Sequence, residues 1–418
     1  MEEKISIEEF DGKKFKMRFI DDEDNRKAVV THYLHNYDNE EKEHYEEQAI
    51  EYIRQIVKYK NEEENCHLDE QNALQQLLVE VKNVPFQTPM NYSFKFIDLF
   101  AGIGGFRLAL QNLGGKCVFT SEWDKYSQIT YRANFGEVPF GDITIEKTKS
   151  QIPNNFQVLC AGFPCQPFSH AGLKKGFEDT RGTLFFDVAD IINRRVENNT
   201  PIDIIFLENV KGLRNHDKGN TLRTIIRTLN DLGYDVATEV LNSKNFGVPQ
   251  NRERIFIIAW LRGQNNTFKF PLGIDTNNRI IFERDDLINV KPTSVGDILM
   301  KKPDEKYTIS DRLYSGHLRR RKEHKEKGNG FGFSSFDKNA QYTSTISARY
   351  YKDGSEILIE QKEANPRKLT PREAANLQGY PNNYIIPVSD NQAYKQFGNS
   401  VSVPVIQTVF NEIKKQLM

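Results

Sequence analysis

The order of apolar segments predicts an α/β protein: a doubly wound, mostly parallel sheet, with a smaller second domain and a helical N-terminal extension. Three observations carry this. Between Phe94 and Ala259, short apolar runs alternate with longer helical stretches, the rhythm of strands in a sheet covered by helices on both faces. Residues 263–392 lose that rhythm. Residues 1–90 combine charged clusters with apolar residues at helical spacing.

In the leader the clusters are Asp21-Asp22-Glu23-Asp24 and Glu62-Glu63-Glu64. Ile50, Ile53, Ile56 and Val57 fall on one helical face, and Leu74, Leu77, Leu78 and Val81 repeat the pattern. The linker Val84-Pro85-Phe86-Gln87-Thr88-Pro89 closes the unit. Strand candidates then follow at Phe94–Phe100, Cys117–Glu122, Val158–Ala161, Ile202–Glu208, Tyr234–Leu241 and Arg254–Ala259. Helices are expected between them at Phe106–Leu113, Tyr126–Asn134, Leu184–Arg195 and Leu222–Leu232. Past residue 262 come the basic run Arg319-Arg320-Arg321-Lys322, a Gly/aromatic segment at 328–333 and short polar strand candidates from Tyr342 to Ile359. The expected division is 1–90 as extension, 91–262 as catalytic domain completed by 393–418, and 263–392 as the second domain.

The totals narrow the class. A hydrophobic content of 38%, with 28 Phe and 17 Tyr, fills a sizeable core, and mean hydropathy is −0.63. No apolar run approaches the roughly 20 residues that cross a bilayer. The start, Met1-Glu2-Glu3-Lys4, has no signal-peptide character. Cysteines at 66, 117, 160 and 165 form neither a CxxC pair nor a Cys/His cluster, so no metal site or disulfide framework is expected and the compartment reads as cytoplasmic. The net charge of −1 hides an asymmetry: residues 1–90 hold 22 acidic and 12 basic side chains, whereas 91–418 hold 36 and 45. The larger part, at +9, suits a polyanionic partner.

Ligands of such sheets bind beyond the carboxyl ends of the strands, and the motifs cluster there. Phe96-Ile97-Asp98-Leu99-Phe100-Ala101-Gly102-Ile103-Gly104-Gly105 is a strand, a glycine turn and a helix start. It departs from the dinucleotide fingerprint, because Arg107 stands at the third glycine position. Glu122, ending the next strand, suits two ribose hydroxyls; Trp123 suits an adenine ring, and Asp142 its amino group. Together these indicate an adenosine-containing cofactor without a pyrophosphate. In Gly162-Phe163-Pro164-Cys165-Gln166-Pro167-Phe168-Ser169, Pro164 sets the direction in which the chain leaves a buried strand and presents Cys165. A lone cysteine is more often a small core residue. Glu208-Asn209-Val210 puts an acid at a neighbouring strand end, placed as a general acid. In Gln250-Asn251-Arg252-Glu253-Arg254 two arginines at i, i+2 suit phosphate or base contact.

In this order the motifs resemble those of bacterial DNA (cytosine-5)-methyltransferases, over residues 94–418. Two C-terminal segments, Arg367–Pro381 and Gln396-Phe397-Gly398-Asn399-Ser400-Val401, complete the likeness. The resemblance implies a Rossmann-like methyltransferase fold and S-adenosyl-L-methionine as cofactor, with S-adenosyl-L-homocysteine as product and no metal. It implies that Cys165 attacks cytosine carbon 6, that Glu208 binds ring nitrogen 3, and that Arg252 holds the base carbonyl. Cofactor positions carried over are Phe100, Ile103, Gly105, Glu122, Trp123, Asp142, Ile143, Pro164 and Asn399. A flipped-out base is implied, with Ser169–Thr183 as a mobile catalytic loop. Lys174, Lys175 and Arg181 suit DNA phosphates there, beside Gln166, Ser169 and Arg254. The stretch Tyr342–Ser355 resembles recognition segments of methylases that read CCWGG and related CC/GG sites, with Arg349 a candidate for guanine. The partner is double-stranded DNA, met by a monomer. The setting is orphan or restriction-modification, the latter bringing a separate endonuclease.

Two other readings compete. A tRNA cytosine-5 methyltransferase would carry Cys-Phe-Thr and a compact recognition region, but Cys165 is followed by Gln166 and over 100 residues separate Arg254 from Arg367. A catalytically silent DNA-binding regulator would have a broken site, yet Cys165, Glu208 and Arg252 all stand.

Overall fold

The computed structural model describes residues 25–63, 67–164, 184–263, 267–274, 293–328, 332–415 and 417, with the backbone of two short segments near the N-terminus. Those segments, β1 (Ile5–Ile7) and β2 (Met17–Phe19), form an antiparallel pair that the helical periodicity does not announce. Helices α1 (Arg26–His35), α2 (Lys42–Glu63) and α3 (Glu70–Lys82) follow, the last two along the expected apolar faces.

The central sheet has six strands: β3 (Phe94–Leu99), β4 (Gly115–Ser121), β5 (Val158–Ala161), β6 (Ile204–Val210), β7 (Tyr234–Asn242) and β8 (Glu253–Leu261). Their order is β4-β3-β5-β6-β8-β7. The first four are mutually parallel, and β8 runs antiparallel to both neighbours. Its start therefore lies beside the end of β6, with Arg254 opposite Val210. That reversal brings a basic strand start to the edge where parallel strands finish.

Side-chain alternation splits the interior into two cores. Leu159, Ala161, Ile205, Leu207 and Ile257 face one; Val158, Cys160, Ile204, Phe206 and Ile258 face the other. Helices α4 (Gly105–Gln111), α5 (Lys125–Phe135) and α6 (Glu146–Lys149) link the early strands, and α7 (Leu184–Glu197) and α8 (Asn220–Asp231) the later ones. The first core is closed by α7, α8 and the extension: Val30, Tyr33, Tyr45 and Ile53 belong to the same buried cluster as the sheet. Helices α1, α2 and α3 thus pack as part of the catalytic core.

In the second region α9 (Val295–Ile298) and α10 (Asp311–Lys327) precede a small sheet of β9 (Ser335–Phe336), β10 (Leu358–Ile359) and β11 (Arg367–Lys368). The strands expected from Tyr342 to Ile359 are reduced to β10. Residues 348–353 form turns instead, and side chains compete for the backbone there: Thr345 donates to the Asn251 carbonyl at 2.6 Å, and Asp353 accepts from the Ser355 N–H at 3.1 Å. Last come α11 (Pro371–Leu377), α12 (Asp390–Asn399) and α13 (Val403–Lys414), which share the second core with α4. Contacts run across the boundary expected at 392, for the Tyr384 hydroxyl donates to the Ile103 carbonyl at 2.6 Å.

Candidate active site

The loop after β3 has an unusual backbone. Phe100 takes φ 57 and Gly102 φ 56, left-handed values that an aromatic residue rarely adopts. A Cβ added at Gly102 would meet nothing within 4 Å, so the turn faces open space. At Gly105 a Cβ would lie 2.6 Å from Val401 and 2.9 Å from the Tyr380 hydroxyl, so the C-terminal motif sits directly on the helix start. Ile103 and Ile143 are buried, whereas Trp123 is 77% exposed.

Glu122 spans this loop and its own. One carboxylate oxygen accepts from the Gly102 N–H and the other from the Asp124 N–H, each at 2.8 Å. Each oxygen keeps a lone pair, the arrangement that two adjacent ribose hydroxyls require. The open turn at Gly102, the exposed indole and this two-handed acid fit the nucleoside end of an adenosyl cofactor. Asp142 lies on the next loop and accepts from the Thr144 N–H at 2.9 Å. Beneath the turn, Asp98 is fully buried, and burial pushes its pKa up to about 8 against the pull of Arg107.

The second half of the site lies where β5 and β6 end. A Cβ on Gly162 would come 3.9 Å from both Glu208 Oε2 and Val401. The neighbouring Asn209 amide donates to the Phe163 carbonyl at 2.8 Å, tying the end of β6 to the chain two residues before Cys165. Glu208 is 8% exposed and pairs with Arg254 Nε at 3.2 Å. Burial raises its pKa, with Arg254 and Arg252 pulling the other way.

Arg252, which the resemblance assigns to the base carbonyl, is tied to the main chain. Its guanidinium is buried and donates to the carbonyls of Ile346 at 3.1 Å, Gly398 at 3.2 Å and Ser400 at 2.7 Å. A group committed to three main-chain acceptors is a strut, and the arginine beside the candidate acid is Arg254. Spacing at i, i+2 cannot separate the two, because only β8's pairing fixes which one faces Glu208.

The structure brings Phe100, Gly105, Glu122, Pro164, Glu208 and Arg254 to one edge of the sheet. Asn399 is exposed at the end of α12, and Arg349 is exposed in the turns of the second region. Cys165, Gln166, Ser169, Lys174, Lys175 and Arg181 lie outside the described residues. Sequence reading gave no role to Asn209, although an amide beside a strand-end acid is a signal for one. No His/Cys/Asp/Glu group suited to a metal occurs among the described residues, and no helix there is long and apolar enough to cross a membrane.

Residues 94–415 match the model of the C-5 cytosine-specific DNA methylase family. Among curated proteins, the chain is 53% identical over 317 residues to the type II methyltransferase M.DsaV of Dactylococcopsis salina, covering 75% of this chain and 84% of that one. It is 47% identical over 370 residues to the type II methyltransferase M.HpaII of Haemophilus parainfluenzae, covering 84% and 97%. Among solved structures, the Entamoeba histolytica methyltransferase EhMeth superposes with a TM-score of 0.59 at 20% identity, over 79% of this chain and 100% of that one, a likeness of fold. The match over 94–415, these identities and the strand-end site together place the chain in the C-5 cytosine-specific DNA methylase family, as a DNA (cytosine-5)-methyltransferase.

Proposed function

We propose that the enzyme flips a cytosine out of duplex DNA and methylates carbon 5 through a covalent Cys165 adduct, with Glu208 as acid and Arg254, rather than Arg252, beside the base. The observation that supports this most directly is the buried Glu208–Arg254 pair facing Gly162 at the end of the strand leading to Cys165. A cation next to an acid whose pKa burial raises suits ring nitrogen 3 and the adjoining carbonyl. Cys165 as thiolate adds to carbon 6, and Glu208 gives its proton to nitrogen 3, leaving an enamine nucleophilic at carbon 5. S-adenosylmethionine supplies the methyl group when bound. Water removes the carbon-5 proton, Cys165 is expelled as thiolate, the 5,6 double bond returns, and nitrogen 3 gives its proton back to Glu208.

For the cofactor, Glu122 would take the ribose, Phe100, Trp123 and Asp142 the adenine, and Asn399 the methionine end, with Ile103, Gly105, Ile143 and Pro164 lining the pocket. For DNA, residues 263–366 would recognise a CC/GG-type site, with Arg349 on a guanine and Gln166 and Ser169 near the flipped base. A cytoplasmic monomer, in an orphan or a restriction-modification setting, completes the reading.

The test is transfer of labelled methyl from S-adenosylmethionine to duplex DNA and to tRNA, with Cys165→Ala alongside. Duplex DNA should be labelled, tRNA should not, and the variant should be silent; bisulfite sequencing then gives the target. Duplex methylation that survives Cys165→Ala would end the covalent mechanism. Separately, Lys174→Ala/Lys175→Ala should weaken DNA binding and flatten its salt dependence by a slope of about 1–2, as two phosphate contacts predict. An unchanged slope in a salt titration would remove these lysines from the backbone contact.

A further inference from the structure

The acidic leader lies outside the family match over 94–415, yet its first helix touches the two loops expected to hold adenosine. The segment around Phe140 pairs alongside the end of β4: the Phe140 N–H donates to the Thr120 carbonyl at 2.8 Å, and the Glu122 N–H to the Phe140 carbonyl at 2.7 Å. Glu122 and Asp142 leave from these two adjacent segments. Three of the segments' other N–H groups end on side chains of the extension. The Gly141 N–H donates to Asn25 Oδ1 at 2.8 Å, the Val138 N–H to Thr31 Oγ1 at 3.0 Å, and the Thr120 N–H to His32 Nε2 at 3.2 Å.

The fit is specific in shape as well as in bonding. His32 Nδ1 lies 2.8 Å from the Ala28 carbonyl, which fixes the neutral tautomer and frees Nε2 to accept. Its ring lies 4.6 Å from that of Phe140, and the Tyr45 hydroxyl donates to the Val118 carbonyl at 3.1 Å. Asn25 holds a left-handed φ of 56 and donates to Thr148 at 3.3 Å, and a Cβ on Gly141 would come 3.1 Å from its oxygen.

We propose that Asn25, Thr31 and His32 of the extension are positioning residues for the cofactor pocket, clamping the Thr120–Glu122 and 138–142 segments so that Glu122 and Asp142 are held ready for adenosine. The inference rests on the cofactor reading above. An outer segment with unpartnered N–H groups is free to open, and ordering it would be charged against ligand affinity. The three acceptors remove that cost before binding.

The test uses the full chain and S-adenosylhomocysteine as probe. Asn25→Gly keeps the left-handed conformation but removes the acceptor; Asn25→Asp keeps both. Loss of one such bond predicts a Kd about five-fold higher for Asn25→Gly by isothermal titration calorimetry. Asn25→Asp should stay near wild type, and DNA affinity should be unchanged in both. In the ligand-free protein, hydrogen exchange at the Gly141 and Val138 amides should quicken in Asn25→Gly, and at Val138 in Thr31→Val. Wild-type affinity in Asn25→Gly, or equal loss in Asn25→Gly and Asn25→Asp, would overturn the proposal. A wild-type protein that binds no S-adenosylhomocysteine would overturn the cofactor reading instead, and unchanged amide exchange would then refute the clamp on its own.

Discussion

Replacing Glu208 with Gln should lower the rate of methyl transfer by about a hundredfold or more, the usual worth of a positioned general acid. The amide keeps the size of the side chain and a hydrogen bond to the base, but cannot transfer a proton to ring nitrogen 3. The wild-type pH profile should carry the signature of this group. Burial raises the Glu208 pKa against the pull of Arg254 and Arg252, so the proton-donating form is fully present below the raised value and is lost as pH climbs through it. Single-turnover rates should fall on the alkaline side of that value in wild type and show no such limb in Glu208→Gln. Arg254→Met removes a cation that lowers the pKa, so its limb should move to higher pH. A Glu208→Gln enzyme within a few-fold of wild type would exclude the carboxyl as the acid.

Glu137→Gln should destabilise the fold by about 3–5 kcal/mol, the cost of stranding a buried charge. Glu137 and Arg107 are both fully buried and lie 2.7 Å apart. Arg107 also donates to the Tyr131 hydroxyl at 2.9 Å and to Thr88 at 3.2 Å, while the Thr120 hydroxyl donates to Glu137 at 3.2 Å. The network joins α4, α5, β4 and the linker, so its loss loosens the helix that follows the glycine turn. Burial alone would raise the Glu137 pKa, but the Arg107 guanidinium overrides it and holds the value down at about 2 against 4.5 ordinarily. A depressed carboxylate stabilises the fold above its unfolded pKa, and that contribution drains away as pH falls from about 4.5 towards about 2. Urea midpoints should therefore drop in Glu137→Gln at neutral pH, and the difference from wild type should shrink in acid. Arg107→Met/Glu137→Met should recover much of the loss, because removing both charges leaves none stranded. If the double variant were no better than the single one, packing rather than charge would be the cause.

Much of this was legible in the chain itself, and the reasons differ by element. The strands stand within about two residues of expectation, most directly where a buried parallel strand is a continuous apolar run, as at Val158–Ala161 and Ile204–Leu207. The nucleotide-side residues follow from spacing, since a strand end and a glycine turn confine where a side chain can go. The pairing of Arg254 with Glu208 was hidden because it depends on the reversed direction of β8. The turns at 348–353 were hidden because Thr345 and Ser347 just before them, and Asp353 within them, take backbone partners that a ladder would otherwise use. The leader's grip on residues 120–141 was hidden because its bonds run from side chains to main chain across some ninety to over a hundred positions.

The strut at Arg252 bears on how such an enzyme acquires a new target. Its guanidinium donates to main-chain oxygens, and the Gln250 side chain also accepts from the Ile346 N–H at 3.0 Å. Peptide carbonyls are the same whatever residue bears them. The turns carrying Arg349 are therefore moored to the catalytic sheet by atoms that substitution leaves in place. Exposed side chains there, which we propose read the DNA, can be exchanged without unfastening that region from the catalytic sheet.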